Sequence, residues 1–215
     1  DSPIELDLES MSVNGSAPPA LAELFKELEF NRLLEQLDLP ALEPETAAIA
    51  ARYKLVTEPE ELGKVVDEMR QMGKFAIDLE TTSLDPLIAR IVGISLCGES
   101  GRAFYLPTAH TGGENLQLQQ VLDKLRPLLE DEQVCKYGQN IKYDTSILAR
   151  YGITPRGFDF DTMIADYLLD PTERQHNLDA LAQTHLNYTM MPITELIGKG
   201  KEQIGFAEVD PEKAC

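Results

Sequence analysis

Two acids one residue apart, Asp78 and Glu80, close the apolar run Phe75-Ala76-Ile77 in the stretch FAIDLETTSLD. Side chains alternate along a strand, so both carboxylates project from one face while Ile77 and Leu79 project from the other. Like charges held that close and partly desolvated repel each other, which raises their pKa values and costs stability unless a cation or hydrogen-bond donors compensate. No Lys or Arg follows until Arg90, which leaves a metal ion as the candidate compensator. The plainer alternative is that Glu80 and Thr81 open a solvated loop.

A third acid poses the same problem. The segment 140–151 has helical spacing, with an inward stripe of Ile141, Ile147, Leu148 and Tyr151, and Asp144 falls within that stripe. An acid among core-facing residues needs a donor, a cation or an opening onto a cleft. A place at the stripe's border, or a pairing with Lys142 or Arg150, is the alternative. Oxygen-only ligands of this kind suit Mg²⁺ or Mn²⁺ and lack the Cys and His of a zinc site. Clustered carboxylates binding hard divalent ions most often serve phosphoryl chemistry, with two ions about 4 Å apart activating a water and stabilising the leaving oxygen.

The elements that must position these acids alternate from Arg52 onward. YKLVT reads as a strand, PEELGKVVDEMRQMG as a helix closed by Gly73, and KFAIDLE as a strand. RIVGISLCG, with Gly98 at its turn, and RAFYLPT are two further strands. A helix (LQLQQVLDKLRPLLED), a short strand (QVCKYG) and a helix capped by Asn140 and stopped by Gly152 follow. FDFDTMIADYLLD passes from strand to helix, and NLDALAQTHL is another helix. This order implies a layered α/β domain with a mixed sheet over residues 52–215. Residues 1–51 read as a linker and an amphipathic helix, LAELFKELEFNRLLEQL, which has too little sequence around it for a core of its own.

The 215 residues carry 19 Lys plus Arg against 37 Asp plus Glu, a net charge of −18. That argues against broad phosphate neutralisation by a basic surface, though not against an enzyme that takes a few nucleotides into a metal-loaded cleft. No apolar run approaches the roughly 20 residues of a membrane span. Cys97, Cys135 and Cys215 show no metal-binding spacing; the first two read as buried thiols in a reducing compartment, which implies a cytoplasmic location.

DLETTSLD and GQNIKYD (138–144) resemble the first and second motifs of the DEDD-type 3′–5′ exonucleases, in the form built into bacterial DNA polymerase I. FDTMIADYLLDP and IGKGKEQIGF are similar to stretches that follow the second motif there. The resemblance covers residues 53–215, while PIELDLE and LFKELEFNRLL resemble the tail of the 5′-nuclease region that precedes this domain. It implies a ribonuclease H-like α/β fold, in which a mixed sheet is flanked by helices, with an N-terminal helical and linker extension. Two Mg²⁺ or Mn²⁺ ions are implied on Asp78, Glu80 and Asp144, with Asp78 bridging both. Thr81 and Leu84 are expected against the 3′-terminal nucleotide, and Gln139, Asn140 and Tyr143 along the strand's path. The implied reaction is hydrolysis of the 3′-terminal phosphodiester of single-stranded DNA, for proofreading beside a polymerase domain in the same parent chain, a monomer away from membranes.

The family's third motif, Tyr-x-x-x-Asp, should follow soon after FAEVDPEKAC, and the chain stops at Cys215. The chain therefore reads as an internal slice of a longer protein, weak or inactive by itself. Ile193 stands where relatives often place an aromatic. Two other classes of reading remain: a stand-alone exonuclease of the ribonuclease D or Werner type, and a non-catalytic scaffold. Of the remaining polar residues, Asp161 reads as a helix N-cap, Asp85 as part of a turn with Pro86, and Lys136 and Lys142 as solvated lysines near the second motif. GKGK (198–201) lacks phosphate-loop spacing, and His110, His176 and His185 are scattered.

Overall fold

Burial along residues 74–81 alternates as the sequence predicts: Phe75, Ile77 and Leu79 are buried, while Lys74 and Asp78 are exposed and Ala76 and Glu80 half-buried. Strict alternation of this kind is the mark of a strand with one covered face. The computed structural model describes residues 52–215 and, before them, only positions 21, 24, 25, 28 and 30. The expected linker and most of the expected helix within 1–51 lie outside the described residues. The unit Thr46–Cys215 carries the fold.

Its elements run β1 (Arg52–Leu55), α1 (Pro59–Met72), β2 (Lys74–Thr81), β3 (Ile91–Glu99), β4 (Arg102–Pro107), α2 (Leu118–Leu129), β5 (Cys135–Gly138), α3 (Ile141–Arg150), β6 (Phe158–Asp161), α4 (Thr162–Leu169) and α5 (Leu178–Leu186). Two short helices, α6 (Ile193–Ile197) and α7 (Pro211–Ala214), end the chain. The strands form one sheet in the order β1-β4-β3-β2-β5-β6. β2, β3 and β4 are antiparallel neighbours, and β1, β5 and β6 join in parallel, which makes the sheet mixed. Phe75, Ile77 and Leu79 pack with Leu62, Val66 and Met69 of α1, Leu122 and Leu125 of α2, and Ile147 and Leu148 of α3. Each such side chain contributes about 1.5–3 kcal/mol on burial.

Four local expectations change. Gly98 lies inside β3 at a register shift between Cys97 and Glu99, and Gly101 (φ 80°) takes the turn. A Cβ on Gly98 would stand 2.2 Å from the Met72 sulfur, so the glycine admits α1 against the sheet. Lys136 is fully buried and not solvated, because β5 sits between β2 and β6; its stem packs in the sheet and its ammonium donates to the Asp131 carbonyl. Burial pulls its pKa down. The three cysteines are free and only half-buried.

The fourth change concerns the start of α3. Asn140 occupies the N-cap position in a left-handed conformation (φ 57°) but offers no side-chain cap. Asp161, at the end of β6, supplies it from 21 residues away: its carboxylate accepts from the backbone N–H of Asn140 at 3.1 Å and of Ile141 at 2.8 Å. The same carboxylate caps α4 through Met163 at 2.9 Å and Ile164 at 3.3 Å, as the sequence leads one to expect of Asp161. One acid thus satisfies donors of two helix N-termini. Asp161→Ala removes both caps and lowers stability by about 1–4 kcal/mol in chemical denaturation, since each cap contributes roughly 0.5–2 kcal/mol.

Candidate active site

Asp78 and Glu80 leave β2 on the face opposite the core, opposite Ser95 and Gly93 of β3. A bulge follows between Glu80 and Thr81, where the pairing steps from Gly93 to Ile91, and it re-aims the strand at its exit. On its other side β2 pairs with β5 only from Lys74 to Ala76, so its edge is open from Ile77 onward. α3 rises from the end of β5 beside that open edge and brings in Asp144, which is 3% exposed. The sheet topology therefore brings the three acids near enough for the charges of Asp78 and Glu80 to act on Asp144.

Their environment is electrostatically unfavourable. Burial, and then the charges of Asp78 and Glu80, push the Asp144 carboxyl up to about 8. Burial, and then Asp78, push Glu80 up to about 7. Asp78 is also raised by burial, although its outer edge is open to solvent: the crowding around it, and not its surface area, sets its desolvation. The Leu79 backbone N–H, at the open edge, partly offsets the shift on both Asp78 and Asp144. Among the described residues none of the three acids is in an ion pair. An all-oxygen donor set with excess negative charge and no cation fits a hard divalent ion. Among the described residues, however, no three acid, imidazole or thiol side chains are drawn together closely enough to enclose an ion.

Around the acids, Tyr143 and Arg150 of α3 fasten the loop between β2 and β3. The Tyr143 hydroxyl meets Thr81 Oγ1 at 2.6 Å and donates to the Ser83 carbonyl. Arg150 donates to the carbonyls of Pro86 at 2.9 Å and Ala89 at 2.6 Å. Asp85 forms the expected turn, accepting from Leu87 N–H at 2.9 Å. On this pinned loop Leu84 stands 95% exposed, an apolar side chain held out to solvent. Gln139 lies between β5 and α4, with its amide donating to the His176 carbonyl at 2.7 Å and accepting from Thr162. Asn140 Oδ1 is buried without a partner among the described residues.

Several organising residues escape a reading of the sequence. Tyr105 on β4 lies across Gly93, where a Cβ would come within 2.0 Å of its hydroxyl, and the nearby Glu80 charge adds to burial in raising the tyrosine's pKa. Its hydroxyl meets His110 Nε2 at 2.7 Å, and His110 Nδ1 meets the Val209 carbonyl at 2.7 Å. A carbonyl only accepts, so Nδ1 carries the proton and Nε2 accepts from the tyrosine. His110 is thus a structural residue, while His176 and His185, expected to be scattered, converge on Asp166. The glycine one strand from Glu80 was the available signal for the first group; nothing local signals the second.

The model of the family described as 3'-5' exonuclease matches residues 53–215. DNA polymerase I of Pseudomonas aeruginosa is 35% identical over 98% of this chain and 25% of its own length. The structure described as "POL domain of Pol1 from M. smegmatis complex with DNA primer-template and dNTP" is 26% identical, with a TM-score of 0.54 over 65% of this chain and 23% of that one. Trypanosoma brucei RNase D, solved in complex with RNA U12, shares the fold at 16% identity, with a TM-score of 0.56 over 68% of this chain and 52% of its own. The chain spans about a quarter or less of the curated relatives it matches first. With its mixed ribonuclease H-like sheet and its acids at the open edge of β2, the chain belongs to the 3'-5' exonuclease family of bacterial DNA polymerase I.

Proposed function

We propose that this chain hydrolyses the 3′-terminal phosphodiester of single-stranded DNA, the proofreading step of a parent DNA polymerase I. The observation that carries the reading is the set of Asp78, Glu80 and Asp144, gathered at the open edge of one strand with no cationic partner among the described residues. These three would hold Mg²⁺ or Mn²⁺, two ions in the family, which supply Lewis acidity and an activated water when bound. The protein's own contribution is placement. Leu84, on a loop fastened by Tyr143 and Arg150, offers a rigid apolar edge to the terminal base. Thr81 and Tyr143 hold that loop by their hydroxyls, and Gln139 and Asn140 face the strand. The parent polymerase domain would share the chain, and the reading carries a cytoplasmic, monomeric protein; no described helix is long and apolar enough to cross a membrane.

A second reading, a non-catalytic scaffold, is favoured by one observation: the three acids are not drawn into a chelating arrangement among the described residues. Degradation of a 5′-labelled single strand in Mn²⁺ separates the two. The exonuclease reading expects stepwise shortening from the 3′ end, reduced about 10²-fold or more by Asp78→Ala, since each 1.36 kcal/mol is tenfold in rate. No shortening, and Mn²⁺ affinity unchanged by Asp78→Ala, supports the scaffold.

The acids also tie stability to pH. Glu80 titrates near 7 and Asp144 near 8 in the folded chain, against ordinary values of 4.5 and 3.8. Between these limits the folded chain holds more protons than the unfolded one, so stability falls as pH rises through the window. Thermal melts of metal-free protein are expected to drop from pH 5 to pH 8. Asp144→Asn should flatten that drop by about 2–4 °C or more, the equivalent of about 1 kcal/mol in a domain of this size. Mn²⁺ should stabilise the unsubstituted chain most at high pH, where its ligands are ionised. Parallel curves for the two proteins would refute the assignment of the strain to Asp144.

A further inference from the structure

Outside the carboxylate cluster, three side chains converge on the α4–α5 hairpin. Asp166 of α4 meets His176, which precedes α5, at 2.6 Å (Oδ2 to Nδ1) and His185 of α5 at 3.0 Å (Oδ1 to Nε2). An ionised carboxylate only accepts, so His176 donates through Nδ1–H and His185 through Nε2–H, and both imidazoles hold fixed tautomers. Asp166 and His176 are 14% and 15% exposed in their side chains, and His185, at 51%, is the outer member. The Tyr167 ring meets the His176 ring edge-on, with centroids 5.4 Å apart. The hydrogen bonds from His185 and then His176 hold the Asp166 carboxyl below its usual range.

What this clasp steadies is a piece of backbone. The His176 carbonyl accepts from Gln139 Nε2 at 2.7 Å, and Gln139 Oε1 accepts from the Thr162 hydroxyl. The two partners fix which way the amide points: nitrogen must face the carbonyl, and oxygen the hydroxyl. One of the two amide hydrogens is thereby used, and among the described residues the other has no acceptor. Gln139 and Thr162 line a cavity of about 270 Å³ that Asp78, Ser95 and Tyr137 also line.

We propose that Asp166 is a positioning residue: its clasp on His176 and His185 fixes the His176 carbonyl, which presents the remaining N–H of Gln139 to an acceptor oxygen of the strand entering beside Asp78. A free glutamine loses rotamer freedom when a ligand freezes it, and the clasp removes that loss before binding. The inference rests on the reading of Gln139 as strand-facing, and its test separates the two.

The whole chain, ¹⁵N-labelled, carries Asp166→Ala, Asp166→Asn, Gln139→Ala or the Asp166→Ala/Gln139→Ala pair. The first readout is the Gln139 side-chain amide in NMR, assigned by its loss in Gln139→Ala. The second is affinity for a single-stranded oligodeoxynucleotide with a 3′-terminal phosphorothioate linkage, in Mn²⁺. Asp166→Ala is expected to shift the Gln139 amide protons toward free-amide positions and to weaken affinity about five- to tenfold, the worth of one hydrogen bond. It should add nothing once Gln139 is already alanine. Asp166→Asn keeps one acceptor oxygen and should fall between. Unmoved Gln139 resonances in Asp166→Ala, or losses that multiply in the double variant as for a merely structural residue, would overturn the inference. Moved resonances with affinity unaffected by Gln139→Ala would instead overturn the strand-facing reading of Gln139.

Discussion

The Asp161 carboxylate is the contact on which the site's geometry depends. β5 ends at Gly138 and β6 at Asp161, paired in the sheet, so α3 and α4 begin close together. Each helix start exposes backbone N–H groups and the positive end of a dipole, and bringing two such ends together is unfavourable without an anion between them. Asp161 is that anion, with Oδ1 shared between the two helices and Oδ2 accepting from α3. Fixing the first turn of α3 fixes Asp144 within it and Gln139 one residue before Asn140. Thr162, the first residue of α4, then closes on Gln139.

That frame holds three acids against their own repulsion. A buried carboxyl pushed up to about 8 is a local penalty that nothing in the core requires. The hydrophobic packing of α1, α2 and α3 on β2 offsets it, as folds commonly do where a site demands what stability opposes. The Leu79 N–H, freed because β5 leaves β2 after Ala76, is the one backbone donor that relieves it. The strand break that admits Asp144 is therefore also what keeps the cluster tolerable without a cation.

The sequence displays most of this frame wherever the signal is periodic. Alternation along 74–81 and the stripe of α3 mark the faces of Asp78, Glu80 and Asp144 in the sequence itself, because burial on one face repeats every second or every three to four residues. It hides whatever depends on which strands become neighbours. Asn140 has the composition of a cap, and the sequence cannot show that Asp161 displaces it from the adjacent strand. Lys136 has the composition of a surface residue, and only its central strand buries it. His176 and His185 look scattered because a hairpin, with no local pattern of its own, folds them onto Asp166. Gly98 passes for a turn residue until the helix packed over it is known.

The overall charge bears on what such a site can grip. At −18 the chain repels a nucleic acid at long range, so steering by a basic surface, the usual source of affinity, is not on offer. Under the proposed function, attraction would arise at contact: at the acids with cations bound, at the exposed Leu84, and at donors such as the second Gln139 N–H. These contacts are few, which suits one strand end better than a length of duplex. Under the same proposal, a negatively charged surface that takes a nucleotide only where three acids hold a cation favours termini, because an end alone can enter that far.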